Sequence, residues 1–327
     1  MPASRVLVAG SIATDHLMHF PGKFSEQLLA EHLHKVSLSF LVDDLVVRRG
    51  GVAPNICYGM SQLGGEPVLI GAVGEDFEDY RAWLERHKVD CRFVYVSPVH
   101  HTARFVCTTD DDMCQIGSFY AGAMPEARQI ELAHAWETTG AELAVISAYD
   151  PDAMVQHSAE CRERGYRFAA DPSQQIARMN GDQLHGLIEG ADLLFTNDYE
   201  KQLLESKTGL SEAQVLERVN VRITTLGSKG VEIVGRDIDP VHVPVAKERA
   251  KADPTGVGDA FRAGFLTARG WGLSWERSAQ VGSLLATLVL ETVGTQEYQV
   301  KPVDFSERLA ESYGDDCAAE VLPYLPN

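Results

Sequence analysis

Short apolar runs separated by stretches of helical spacing place the strongest constraint on how this chain folds. Arg5–Ala9, Pro67–Val73, Leu143–Ser147, Arg167–Ala170, Leu193–Thr196 and Val221–Thr225 read as buried strands. Between most of them lie amphipathic segments such as Asn55–Leu63, Phe77–His87, Asp152–Arg164 and Tyr199–Lys207. Their apolar residues recur every three to four positions, which is the helical period. Strands joined through helices pair in parallel, because the crossover returns the chain to the starting end of the sheet. The alternation therefore predicts an α/β fold in which a central, mainly parallel sheet is flanked by helices on both faces. Two stretches break the rhythm, at about 35–48 and 102–120. They alternate like strands, carry β-branched and aromatic residues, and are followed by no helix. They are expected to form a small antiparallel lid over the carboxyl ends of the parallel strands, where open α/β sheets bind ligands. No repeat, low-complexity tract or Pro/Ser-rich linker divides the chain, so residues 1–327 are read as one domain carrying lid strands.

Composition removes several classes of function. With 47 acidic and 29 basic residues the formal net charge is −18, which repels a polyphosphate backbone and argues against nucleic acid as a partner. The longest apolar run, Val281–Leu290, is half the length of a membrane helix and reads as a core helix, so no membrane partner is expected. The six cysteines, Cys57, Cys91, Cys107, Cys114, Cys161 and Cys317, form neither a CxxC pair nor a regular spacing. That usage points to a reducing, cytoplasmic setting. The start of the chain reads as a buried strand rather than a signal peptide. Neither a GxxxxGK[ST] loop nor a GxGxxG after the first strand is present, which argues against P-loop NTPases and dinucleotide enzymes. The run Asp110–Asp112 lacks the spacing of a calcium loop and reads as a solvated hairpin turn.

The chemistry concentrates in Asp253-Pro254-Thr255-Gly256-Val257-Gly258-Asp259, which runs directly into a helical segment. Two glycines allow a tight turn, and N–H groups at a helix start, aided by its dipole, make an anion site suited to a transferring phosphoryl group. A carboxylate in that first turn is placed to take a proton from an attacking hydroxyl. A helix cap beside an ordinary turn is the plain alternative for an isolated cluster of this kind.

The full string resembles the signature of the ribokinase-like (PfkB) family of sugar and nucleoside kinases. The resemblance implies that Asp259 is the catalytic base and that Gly256, Val257 and Gly258 form the anion hole. Further positions follow in the family's order, with the match running from Arg5 to about Val300. Gly50-Gly51 with Asn55 is similar to the Gly-Gly motif that contacts sugar hydroxyls. Asn197-Asp198-Tyr199-Glu200 resembles the Asn-x-x-Glu motif, implying that Asn197 and Glu200 help place Mg²⁺ and phosphates. Thr225, Gly227 and Gly230 resemble the nucleotide-contacting turn, and Asp15 sits where relatives keep a diol-binding Asp. The chain departs from many members in Ala13, and in Pro254 and Val257 within the signature.

Ser11–His16, Leu38–Leu45, Asp171–Gln175 and Gly294–Glu297 look like the corresponding segments of bacterial, actinobacterial-type adenosine kinases. That similarity implies a nucleoside held by Ser11, Asp15, Ser39, Gly51 and Asn55, with adenine sandwiched between Phe105 and Phe119. It further implies ATP with Mg²⁺, a possible K⁺ site near Asp253 and Thr255, and a homodimer assembled through the lid. Arg104 and Arg178 are candidates for reaching the phosphates. A ribokinase- or fructokinase-type sugar kinase remains open, as does a catalytically silent sugar- or nucleoside-binding regulator on the same fold.

Overall fold

The structure, a computed structural model, describes residues 5–27 and 38–326. Nine strands form the main sheet in the order β13-β12-β11-β10-β9-β8-β1-β4-β5. They are β1 (Arg5–Ala9), β4 (Glu66–Gly74), β5 (Val94–Ser97), β8 (Leu143–Ile146), β9 (Phe168–Ala170), β10 (Leu193–Asn197), β11 (Val221–Thr225), β12 (Val231–Gly235) and β13 (Ile238–Val243). Pairing is parallel from β5 across to β11, and antiparallel only where β12 and β13 extend the edge. The sequence expectation of a mainly parallel sheet holds. Strands β1, β4 and β8 are almost wholly buried, because helices cover both faces of the sheet. The run Val281–Leu290 lies in the helix Trp275–Leu290, whose packing against the helix Val257–Gly270 forms much of one core layer. Among the described residues no helix is long and apolar enough to cross a membrane, and all six cysteines are free.

A second sheet has the order β3-β2-β6-β7, with β2 (Ala13–Phe20), β3 (Asp44–Gly50), β6 (Ala103–Asp110) and β7 (Gln115–Tyr120). It differs from the expected lid in three ways. Ala13–Phe20 joins it as a central strand, a segment the apolar pattern did not single out. Of the expected stretch 35–48 only Asp44 onward is strand; residues 38–43 are irregular, and 35–37 lie outside the described residues. The sheet is mixed rather than antiparallel, since β2 and β6 run parallel. The chain passes through β4 and β5 of the main sheet before returning, so it re-enters the lid in its original direction. Register places Asp15 opposite Arg48 on one side and Phe105 on the other, and Phe105 opposite Phe119. Directly opposed residues share a face, so these four side chains lie on one side of the lid.

The turn Asp110–Asp112 does join β6 to β7, but Asp110 is buried rather than solvated. Its carboxylate accepts N–H bonds from Phe24, Asp112 and Cys114, which hold it below the usual carboxylate range against the opposing effect of burial. It fastens the hairpin to the start of the Phe24–Gln27 helix.

Candidate active site

A cleft of about 390 Å³ opens between the two sheets. Ser11, Asp15, Gly51, Asn55, Phe119, Gly256 and Asp259 line it, bringing together motifs up to 248 positions apart, the span from Ser11 to Asp259. Gly51 caps the helix Val52–Gln62 with φ 95°, and a side chain there would come within 2.4 Å of the Ser11 carbonyl oxygen. Only glycine lets the chain pass that close. The Ser11 hydroxyl accepts the Val52 N–H at 3.2 Å, so it holds this turn while also bordering the cleft.

Asp259 sits in the first turn of the helix Val257–Gly270, half-buried at the cleft floor. Gly256, with φ 77°, forms the N-cap, and a Cβ there would lie 2.7 Å from Thr295 Cγ2. The turn is anchored from upstream by Asp253, whose carboxylate accepts N–H groups of Thr255 at 2.9 Å and Gly294 at 3.2 Å. Burial works against ionisation of Asp253, but these bonds and Arg48 hold it below the usual carboxylate range. The early N–H groups of a helix have no carbonyl one turn back, so those of Gly258 and Asp259 face the open end with the positive pole of the helix dipole. That is a site for an anion.

Asn55 is buried, and both ends of its amide are engaged. Its amide donates to Asp259 Oδ2 at 2.9 Å, while its Oδ1 accepts Gln296 Nε2 at 3.0 Å. It therefore orients the carboxylate. Burial pushes the Asp259 carboxyl up to about 7; Arg262 and the Asn55 hydrogen bond pull it down, and Asp171 and Glu200 push it up. A carboxylate in that range accepts a proton well near neutral pH. Asp15 is also raised by burial, with Arg48 opposing and Asp253 reinforcing the rise.

Other expected residues lie apart from the cleft. Ser39 is exposed in the irregular segment 38–43, and Phe105 stands on the cleft-facing side of the lid but leans over Gly117. Arg104 is on the opposite face, where it pairs with Asp76 beside a second cavity of about 250 Å³, so it does not meet the main cleft. Asn197 and Glu200 close a reciprocal cap on the helix Asp198–Thr208: Asn197 Oδ1 accepts the Glu200 N–H at 2.8 Å, and Glu200 Oε2 accepts the Asn197 N–H at 2.7 Å. Thr225 is the register partner of Asn197 at the carboxyl end of the next strand, and Gly227 and Gly230 both adopt positive φ in the turn that follows. These five residues gather at the carboxyl ends of β10 and β11 and in the segments that follow, and none of them lines the cleft. Sequence reasoning missed Met124, which borders the cleft, and gave no role to Arg262 or Asp171. A buried ion pair far apart in sequence leaves no local pattern. Arg178 lines the cleft, as do Gln174 and Gln175.

An anion-binding helix start with a proton-accepting carboxylate, at the mouth of an α/β sheet and under a lid, is the apparatus of a phosphoryl-transfer enzyme. The family model of the pfkB family carbohydrate kinases matches residues 14–301. The chain is similar to a nucleoside kinase of Methanocaldococcus jannaschii, 30% identical over 76% of this chain and 80% of that protein, and to one of Methanothermobacter thermautotrophicus, 28% identical over 89% and 91%. Among solved structures it resembles the ligand-free nucleoside kinase of Burkholderia thailandensis, with a TM-score of 0.85 and 34% identity over 93% of this chain and 99% of the other. The same enzyme has been solved in complex with inosine and with ADP-inosine. This chain belongs to the pfkB family and is a kinase of the ribokinase-like fold.

Proposed function

We propose that this kinase transfers the γ-phosphoryl group of ATP to the ribose 5′-hydroxyl of adenosine, giving AMP and ADP. The observation that carries the reading is Asp259, fixed by Asn55 at the cleft floor on the same turn whose N–H groups face outward. The hydroxyl oxygen attacks the γ-phosphorus as the bond to the β–γ bridging oxygen breaks; ADP leaves and the hydroxyl proton passes to Asp259. The turn Gly256-Val257-Gly258 stabilises the charge on the transferring group through the open N–H groups of Gly258 and Asp259, the Val257 N–H being turned back to the Pro254 carbonyl, and the work is positioning and electrostatics with no covalent enzyme intermediate. Asp15 and Gly51 hold the ribose, Phe119 stacks on the base from the lid, and lid closure would carry Phe105 and Ser39 inward. The patch of Asn197, Thr225, Gly227 and Gly230 takes the nucleotide.

The relatives that carry the name nucleoside kinase support the nucleoside class over a free sugar, and Phe119 on the cleft wall supports a flat base in particular. Mg²⁺ would be held chiefly by phosphate oxygens and water, since no group of three His, Cys, Asp or Glu among the described residues is placed to hold a metal. Glu200 would act on it through water, one of its oxygens being spent on the Asn197 N–H. The ionised Asp253 beside Thr255 fits a neighbouring K⁺. Exposed Leu45, Val47, Ile116 and Tyr120 on the lid support a homodimer joined there, and free cysteines suit a cytoplasmic protein. A monomer by sedimentation at micromolar concentration would remove the dimer. Initial rates with ATP against adenosine, inosine, ribose and fructose test the substrate. The highest kcat/KM is expected for adenosine, and a preference for ribose or fructose would overturn the nucleoside reading.

A further inference from the structure

Beneath the glycine turn lies an ion pair that the transfer step does not use. Arg262 stands one helical turn beyond Asp259 and is only 6% exposed, and its Nη2 lies 2.6 Å from Oδ1 of Asp171. Asp171 is fully buried at the carboxyl end of β9, and apart from this ion pair its two oxygens have no hydrogen-bond partner among the described residues. Arg262 Nη1 reaches to within 2.8 Å of the place a Cβ would occupy on Gly258, so the guanidinium presses against the backbone of the anion-binding turn from below. The far side of the guanidinium is closed by the Phe195 ring, 5.7 Å away. A buried ion pair of this kind contributes little to stability compared with an apolar pair of the same volume. Its place under a phosphate-binding turn is what distinguishes it.

We propose that Arg262, pinned by Asp171, is a positioning residue that supplies fixed positive charge beneath the phosphoryl cradle and balances the charge of the base. Several described groups surround Asp259, and Asp15 and Arg178 border the same cleft. Arg262 comes from its own helix, Asn55 from the helix Val52–Gln62, Asp171 from the end of β9, Glu200 from the helix Asp198–Thr208, and the Tyr298 hydroxyl from the segment beyond the helix Trp275–Leu290. Arg262 favours the ionised carboxylate, and the acids Asp171 and Glu200 oppose it. A guanidinium held this way cannot swing into the cleft, so it acts through the field rather than by touching substrate, and it needs no reorganisation when charge develops on the phosphoryl group. Asp171 thus has two effects, fixing Arg262 in place and tempering its charge.

The inference rests on Asp259 being the base. Its test is the pH profile of kcat/KM for phosphorylation of adenosine by ATP in Arg262→Gln, Arg262→Lys and Asp171→Asn, with folding checked by thermal melting. Arg262→Gln is expected to move the acid limb to higher pH and lower kcat by tenfold or more, and Arg262→Lys to restore part of both. Asp171→Asn is expected to move the limb the opposite way, to lower pH. Opposite displacements are not produced by loosened packing. Limbs that stay where the wild-type limb lies, in variants that fold, would overturn the proposal; should Arg262→Gln fail to fold, Asp171→Asn and Arg262→Lys decide it alone. An Asp259→Asn variant that keeps its rate would instead sink the assignment of the base, so the two failures are distinct.

Discussion

The main sheet and the lid sheet are built to opposite plans. In β8 and β9 the side chains are buried almost throughout, and the helices above and below leave the strands no freedom. In β7 every residue is exposed, Phe119 at 52%, and β3 turns Leu45, Val46 and Val47 outward. The groups proposed for chemistry, Asp259, Asn55 and the glycine turn, belong to the first plan; the groups proposed for grasping the base belong to the second. A phosphoryl cradle must not move while charge develops on it. A lid must admit and release its ligand, and it draws on the weakly packed end of the molecule to do so. The difference teaches where each kind of substitution will be felt.

The largest effect is expected where the rigid plan is broken. Gly256→Ala forces a side chain into a left-handed residue and against Thr295, tilting the N–H groups of the turn. A loss of about 10²–10³ in kcat is expected, comparable to removing one donor from an oxyanion site, with little change in KM for the nucleoside; steady-state kinetics check it. Next comes pH. With the Asp259 carboxyl raised to about 7 from its ordinary 3.8, it is protonated below that point and cannot accept the hydroxyl proton, so kcat/KM should fall about tenfold per unit on the acid side. The same raised group binds its proton more tightly in the folded state, so its contribution to stability is complete below its ordinary value and is lost as pH rises through about 7. Rate and stability therefore respond to Asp259 in opposite directions, which a melting series over the same buffers will reveal. On the lid the consequences are smaller and confined to binding. Phe119→Ala is expected to raise KM for the nucleoside by the roughly 1–3 kcal/mol of a stacked base, leaving KM for ATP and the melting temperature nearly unchanged. A large drop in melting temperature would mean that the lid is part of the rigid core.

The buried main sheet is far more legible in the sequence than the exposed lid. The apolar runs Arg5–Ala9 and Val221–Thr225 coincide with β1 and β11, and those of β4, β8, β9 and β10 lie within a residue of the strand at each end, because a doubly covered parallel strand is a continuous apolar run that ends sharply. Gly256 and Asp259 were legible because a helix start with two glycines leaves a compact local signal. In the lid the same reasoning lost ground. Ala13–Phe20 carries His16, His19 and Asp15 and shows no apolar run, yet it pairs on both sides. Asp110 passed for a solvated turn residue because its acceptor role depends on Phe24, 86 positions away. That Asn55, besides lining the cleft, holds Asp259 and is held by Gln296 leaves no trace in the sequence, and the Arg262–Asp171 pair is invisible for the same reason: tertiary contacts set these roles.

The most direct test of the central claim is Asp259→Asn, a change of one atom that keeps the shape of the site. Titration of the variant with adenosine should give binding close to that of the wild-type chain, while turnover with ATP should fall by about 10²–10⁴, the usual contribution of a positioned base. Turnover within a few-fold of the wild type would contradict the account.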